Sequence, residues 1–267
     1  MIGLAGVYRQ QMKTSFAAML QYRAALVIWL ISQVLDPVIY LIVWSTVTAA
    51  SGGEAGGYTR GDFAAYFLVL MLVNNTTYSW IMHEYEYRVR EGTLSAALLR
   101  PVHPIHADIA DNLSSKMIST PMMLALAVGL GFVFRPTIHL VPWAVAAFVP
   151  AVALAFVLRF LIEWTLALAA FWTTRVSALN QTYFVALLFL SGQVAPLSLF
   201  PGFVQAIGLA LPFRWMISFP VELLLGNLTP AQTLIGFAAQ AGWIGVGLML
   251  VRLTWRAGVR QYSAVGA

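Results

Sequence analysis

A few residues in this chain have types and spacings that could do chemistry. Arg159 and Glu163 stand four apart inside an apolar run, the spacing at which two side chains meet on one helical face. Charges in such a run are costly in lipid, so the pair either fixes helix packing or lines a path. Asp36, just before Pro37 in another apolar run, is a candidate third member or the mark of a kink. His103 and His106 flank Pro104, but two imidazoles without a third ligand at a fitting spacing read as surface histidines, not as a metal site. "HEYEYR", His83 to Arg88, sets Glu84 and Glu86 beside a histidine. Acid and base work there would suit an enzyme acting on lipid, yet Arg88 and Arg90 make ion pairing the simpler reading.

Other chemistry is missing. A chain that hydrolysed its own nucleotide would carry a glycine-rich phosphate loop ending in Gly-Lys-Ser/Thr. The only lysines are Lys13 and Lys116, and neither follows a glycine. The absence of cysteine removes thiolate metal sites and cysteine nucleophiles. Gly129-Leu-Gly131 and Gly245-Val-Gly247 lie in apolar runs, where small residues let helices approach closely. No enzyme, and no cofactor held by this chain, is expected.

These residues must be positioned by membrane helices. Of the 267 residues 60% are apolar and 9% charged, against roughly 25% charged in soluble domains, so there are too few polar side chains to cover a soluble surface. A crossing helix needs about 20 mostly apolar residues. Six segments meet or approach that, at 24–48, 63–82, 117–134, 141–171, 181–199 and 233–251. An even number puts both ends on one side. Cations choose that side: with the termini inside, the inner segments hold Arg9, Lys13, Arg23, Arg88, Arg90, Arg100, Lys116, Arg175, Arg252, Arg256 and Arg260, and the outer loops only Arg60, Arg135 and Arg214. The expected fold class is an all-α polytopic membrane protein with six transmembrane helices and cytoplasmic termini, in one domain over 1–267.

The first apolar run is too long for a signal peptide and follows a long basic lead, with Asp36-Pro37 interrupting it, so it is expected to be retained. In the lead, Leu4, Tyr8, Met12, Phe16 and Met19 or Leu20 recur like one face of a helix. That helix, over 1–22, either lies in the inner membrane interface or packs on the protein's own cytoplasmic surface. Pro196, Pro201, Pro212, Pro220 and Pro230 cut the apolar stretch before the last span into pieces too short to cross. Short re-entrant or interfacial helices over 196–230 on the outer face are expected, or else an apolar loop packed on the spans.

"RVREGTLSAALLRPVHP", Arg88 to Pro104, lies in the longest inner loop, 83–116. Thr93 is placed to cap a helix of about two turns, with Leu94, Ala97 and Leu98 on one face before Pro101 stops it. An exposed apolar ridge flanked by Arg88, Arg90 and Arg100 would suit docking by another protein.

"VREGTLSAALLRPVHPI" resembles the cytoplasmic segment of ABC-2 type permeases, the membrane subunits of ATP-driven exporters, in the bacterial branch with an "I-R-E-G-x-L-x-x-L-L-x-R-P" pattern. "LDPVIYLIVW", "AFW", "LSGQVAPLSLFP", "LPFRWMISFPVELLLG" and the closing "GVRQYSAVGA" extend the resemblance over nearly the whole chain. Val89 stands where the branch often has isoleucine, and Ala96 and Ala97 make the short helix less bulky than in some relatives. The resemblance implies a permease in a bacterial inner membrane, paired with itself or with a similar six-span chain, and bound to two copies of a separate ATPase that holds ATP and Mg. It implies a coupling helix docking through Arg90, Glu91, Leu94, Leu98, Arg100 and Pro101, an interface helix at the N-terminus, and outward movement of a lipid-like, amphipathic or drug-like cargo. Membrane lipids surround such a chain, and no nucleic acid is expected as a partner. The alternative is a secondary transporter driven by an ion gradient at Asp36, Arg159 and Glu163.

Overall fold

The computed structural model describes residues 4–21, 23–173 and 176–262. Helix α1 (Leu4–Gln21) is followed by α2 (Arg23–Ala50), a single continuous helix through Pro37. The interruption expected at Asp36-Pro37 does not occur. Proline removes one backbone donor, and a long membrane helix tolerates that loss when neighbouring groups satisfy the freed carbonyl. A two-residue hairpin follows, β1 (Glu54–Ala55) paired antiparallel with β2 (Tyr58–Thr59). Its turn residues, Gly56 and Gly57, take φ of +59° and +81°, the left-handed backbone that hairpin turns need and glycine supplies.

Helix α3 (Arg60–Thr77) starts on a capping box in which Thr59 and Asp62 bond each other's backbone amides. It stops at Tyr78, whose φ of −59° and ψ of 140° are extended, and the chain restarts as α4 (Ile81–Arg90). The run expected over 63–82 is therefore broken. Helix α5 (Leu94–Leu98) is one short turn, and α6 (Pro104–Phe134) begins far ahead of the apolar run expected at 117, with Pro104 at its first position. Helix α7 (Pro142–Ala167) ends in a 3-10 turn, Leu168–Phe171.

Helix α8 (Ser177–Leu190) is only 14 residues long, and the rest of the segment expected to 199 turns away at Gly192, with φ +82°. Beyond a 3-10 turn at Leu197–Leu199 come α9 (Gly202–Ala210), α10 (Pro212–Met216) and α11 (Ser218–Leu224), each too short to cross a bilayer. Prolines stand at or just before the starts of α9 and α10, where a missing donor costs least. The last helix, α12 (Pro230–Gln261), opens on a second capping box, Thr229 with Gln232.

Among the described residues, four helical stretches are long and apolar enough to cross a membrane: Val27–Ala50, Pro104–Phe134, Pro142–Phe171 and Pro230–Gln261. Helices α3, α7, α11 and α12 enclose the main core around Phe67, Leu158, Trp164 and Phe219. Helix α12 comes close to its neighbours at glycines eleven residues apart, which lie on one face: a Cβ on Gly236 would strike Phe219, one on Gly247 would press Leu161, and one on Gly258 would strike Phe171. Gly129 and Gly245 face open space and play no such part.

Helix α1 lies along the first half of α6. Tyr8 Oη meets His106 Nδ1 at 3.1 Å, Gln11 Nε2 donates to Asp111 Oδ1 at 2.9 Å, and the Ser15 hydroxyl donates to the same oxygen. Tyr8, Met12 and Met19 of the anticipated apolar face are half-buried by this packing, while Leu4 and Phe16 stay exposed. The face is thus partly spent on the protein itself.

Candidate functional site

The segment after α4 turns at Gly92, with φ +70°. Thr93 does not cap α5: its own backbone is helical, and its hydroxyl reaches back to the Arg88 carbonyl at 3.4 Å. The anticipated ridge also points the other way. Leu94 is fully buried in the main core and Leu98 and Ala97 pack half-buried against it, whereas Leu99 is 88% exposed. A short helix tied to a large apolar core gains more by facing it than by facing water. The side chains left outside include Arg90 and Glu91, whose Nε and Oε1 lie 3.3 Å apart, with Thr93, Ala96, Leu99, Arg100 and Pro101. On the inner side Ser95 Oγ meets Tyr262 Oη at 2.9 Å, joining α5 to the end of α12. The rest of the closing motif, from Ser263, lies outside the described residues, as does Arg175.

Behind α5 lies a buried hub on Asp108, one turn into α6. Its carboxylate accepts from Arg88 Nη1 at 2.7 Å, Tyr85 Oη at 3.1 Å and Trp164 Nε1 at 2.9 Å, so α4, α6 and α7 meet on one side chain. Arg88 also pairs with Glu84 one turn back. Burial opposes the Arg88 charge, but the Asp108 and Glu84 carboxylates outweigh it and hold the guanidinium above the usual arginine range. The Tyr85 phenol is pushed well above its usual range, first by burial and then by the Asp108 charge. Sequence reasoning missed Asp108, Tyr85 and Trp164. The available sign was Pro104 after His103, a helix start that puts Asp108 inside a long helix instead of a loop.

Deeper in the bundle Arg159 and Glu163 do form a pair, Nε to Oε1 at 2.7 Å, with both side chains almost wholly enclosed. Further bonds hold the pair: Arg159 Nη1 donates to Asn74 Oδ1 at 2.8 Å and Thr77 Oγ1 at 3.1 Å, while Ser79 Oγ at 2.5 Å and Tyr183 Oη at 3.1 Å donate to Glu163. Ser79 belongs to the break between α3 and α4. Asp36 stands apart from this network: it is exposed on α2, which packs chiefly on α3. The charged trio is a pair.

The histidines are engaged locally. His103 Nδ1 accepts from the Ile105 amide at 3.2 Å, and its ring lies 4.4 Å from that of Trp255. His83 stacks on Trp80 at 4.4 Å. Among the described residues no group of three His, Cys, Asp or Glu side chains is placed to hold a metal. At the other end of the bundle Arg214 pairs with Glu222 at 2.8 Å beside a polar cavity of about 630 Å³ that Tyr58, Asp62, His139 and Gln205 help to line.

Among the described residues this is a helical bundle with four long apolar helices and almost no sheet, the build of an integral membrane protein. The sequence profile of the family described as ABC-2 family transporter protein matches residues 34–266, and the chain belongs to that family of transport membrane components. No curated protein matches the chain.

Proposed function

We propose that this chain is the permease of an ATP-driven exporter, crossing the membrane six times with both termini in the cytoplasm, and that a separate ATPase, holding ATP and Mg, docks on the α4–α5 elbow. Helix α3, and α8 continued by the turn after it, would supply the two shorter crossings. The observation that carries the reading is the Asp108 hub. An elbow whose outer surface includes Arg90, Glu91, Leu99 and Arg100 is tied at its base by two hydrogen bonds to Asp108 of α6, which accepts a third from Trp164 of α7, so a push on the elbow would move the bundle and not merely bend a loop. Two such chains, identical or similar, would rock against each other over two ATPase copies in a bacterial inner membrane. The proline-cut helices α9 to α11 would form the outer re-entrant region, and the largely apolar spans favour an amphipathic or lipid-like cargo.

The test is purification of the tagged chain from its native membranes in mild detergent, with assay of ATP hydrolysis. A stoichiometric ATPase should accompany it, and Leu99→Arg should remove that ATPase while leaving the chain folded. Leu98→Arg should act in part through the core, because Leu98 is half-buried. A Leu99→Arg chain that keeps its ATPase and its transport would overturn the docking assignment.

A further inference from the structure

We propose that the cavity bounded by α1, α2 and α6, beside the break between α3 and α4, binds the phosphate headgroup of one anionic membrane lipid, with Lys116 as its counter-charge. The cavity holds about 370 Å³ and is walled mainly by apolar surface from Trp29, Tyr78, Trp80 and Met19. The Lys116 Nζ sits between two of these rings, 5.8 Å from the centroid of Trp29 and 5.8 Å from that of Tyr78. Among the described residues it has no carboxylate within ion-pair reach and no hydrogen bond. The Glu163 carboxylate is already taken by Arg159, Ser79 and Tyr183.

An ammonium walled by apolar surface is costly unless something neutralises it, and ring faces compensate only in part. Among the described residues the enclosed charges Arg159, Glu163 and Asp108 have partners, so Lys116 marks a place where the anion comes from outside. The lining says what kind. Asn112, one turn before Lys116 on α6, uses one of its two amide N–H groups on the Asp108 carbonyl and has the second for a phosphate oxygen. Tryptophan and tyrosine are the side chains that settle at the headgroup level of a bilayer. Next to Trp29 on α2, Ile28, Ile31 and Leu35 share one helical face and are all more than half exposed, which offers an apolar surface for acyl chains. A free phosphate would gain nothing from those walls, whereas a lipid uses both ends of the site. The assignment rests on the membrane location alone and stands whether or not an ATPase drives the chain.

Native mass spectrometry of the full-length chain in detergent tests it, with phosphatidylglycerol, phosphatidylcholine of the same acyl chains, and inorganic phosphate as probes. One phosphatidylglycerol should be retained at a concentration at least roughly tenfold below that needed for phosphatidylcholine. Lys116→Gln should erase the preference and Lys116→Arg should keep it. Ala25→Phe, which fills the cavity without touching its charge, should also lose the lipid, and it decides the matter if Lys116→Gln does not fold. Equal retention of the two lipids, an undiminished preference in Lys116→Gln or Ala25→Phe, or displacement of the lipid by inorganic phosphate at the same concentration would overturn the proposal.

Discussion

Removing one member of the Arg159 and Glu163 pair should harm the protein more than neutralising both. Glu163→Gln leaves a guanidinium that cannot shed its charge in a site where Arg159 is almost wholly enclosed, and the two oxygens it keeps, on Asn74 and Thr77, are neutral. Arg159→Gln strands the carboxylate with the Ser79 and Tyr183 hydroxyls. Each single change should cost about 3–5 kcal/mol, the range for breaking a buried pair. If the sites were independent, the double variant would then lose about 6–10 kcal/mol. In Arg159→Gln/Glu163→Gln no charge is stranded, and the two amides can bond each other and the same four neighbours, so the loss should be about 1–2 kcal/mol, from shortened side chains and weaker hydrogen bonds. Unfolding by sodium dodecyl sulfate in mixed micelles, followed by tryptophan fluorescence, gives the three free energies. A double variant less stable than either single one would refute the argument that the pair is held together by mutual need.

Asp108→Asn keeps an acceptor for Tyr85 and Trp164 but loses the charge opposite Arg88, and should destabilise the chain by about 1.5–3 kcal/mol in the same assay. Gly236→Ala should lower stability by about 1–3 kcal/mol, because its Cβ would lie 2.1 to 2.6 Å from atoms of the buried Phe219 ring; an unchanged Gly236→Ala would show that the ring can yield. Burial, with the His106 charge second and against a pull from Asp108, holds the His103 imidazole below its usual range. Because the neutral ring is the one favoured on folding, its stabilising share is complete above about pH 6.5 and is lost as the pH falls below that. His103→Asn, which can still accept from the Ile105 amide, should therefore lose less thermal stability than the parent between about pH 7.5 and about pH 5.

Legibility in the sequence followed the range of the interactions. The four long apolar helices could be read because twenty apolar residues in a row have few alternatives, and the proline-cut helices because proline acts on its own backbone. The Arg159 and Glu163 pairing could be read because both partners sit on one helix. What could not be read depends on contacts far apart in the chain. Ser79 is an ordinary serine until α7 brings Glu163 against it, 84 positions away, and the direction of α5 is set by a core assembled from most of the chain. Thr93 misled because a good capping residue is only a propensity, and here Gly92 makes the bend without it.

The two polar networks are consecutive on α7, and that adjacency bears on how the elbow would drive the bundle. Glu163 receives Ser79 from the break between α3 and α4, while the next residue, Trp164, donates to Asp108 at the base of the elbow. Helix α4 is thus fastened near both ends to one turn of α7: at the break through Ser79, and beside the elbow through Arg88, Tyr85 and Asp108. Between these points α4 can act as a stiff rod, whereas an unbroken helix from α3 would carry any displacement straight along its own axis. Under the proposed coupling, then, force entering at Leu99 and Arg100 is divided between α6 and α7 before it reaches α3. Variants at Ser79 should accordingly change transport with the ATPase still bound, and variants at Leu99 should change both together.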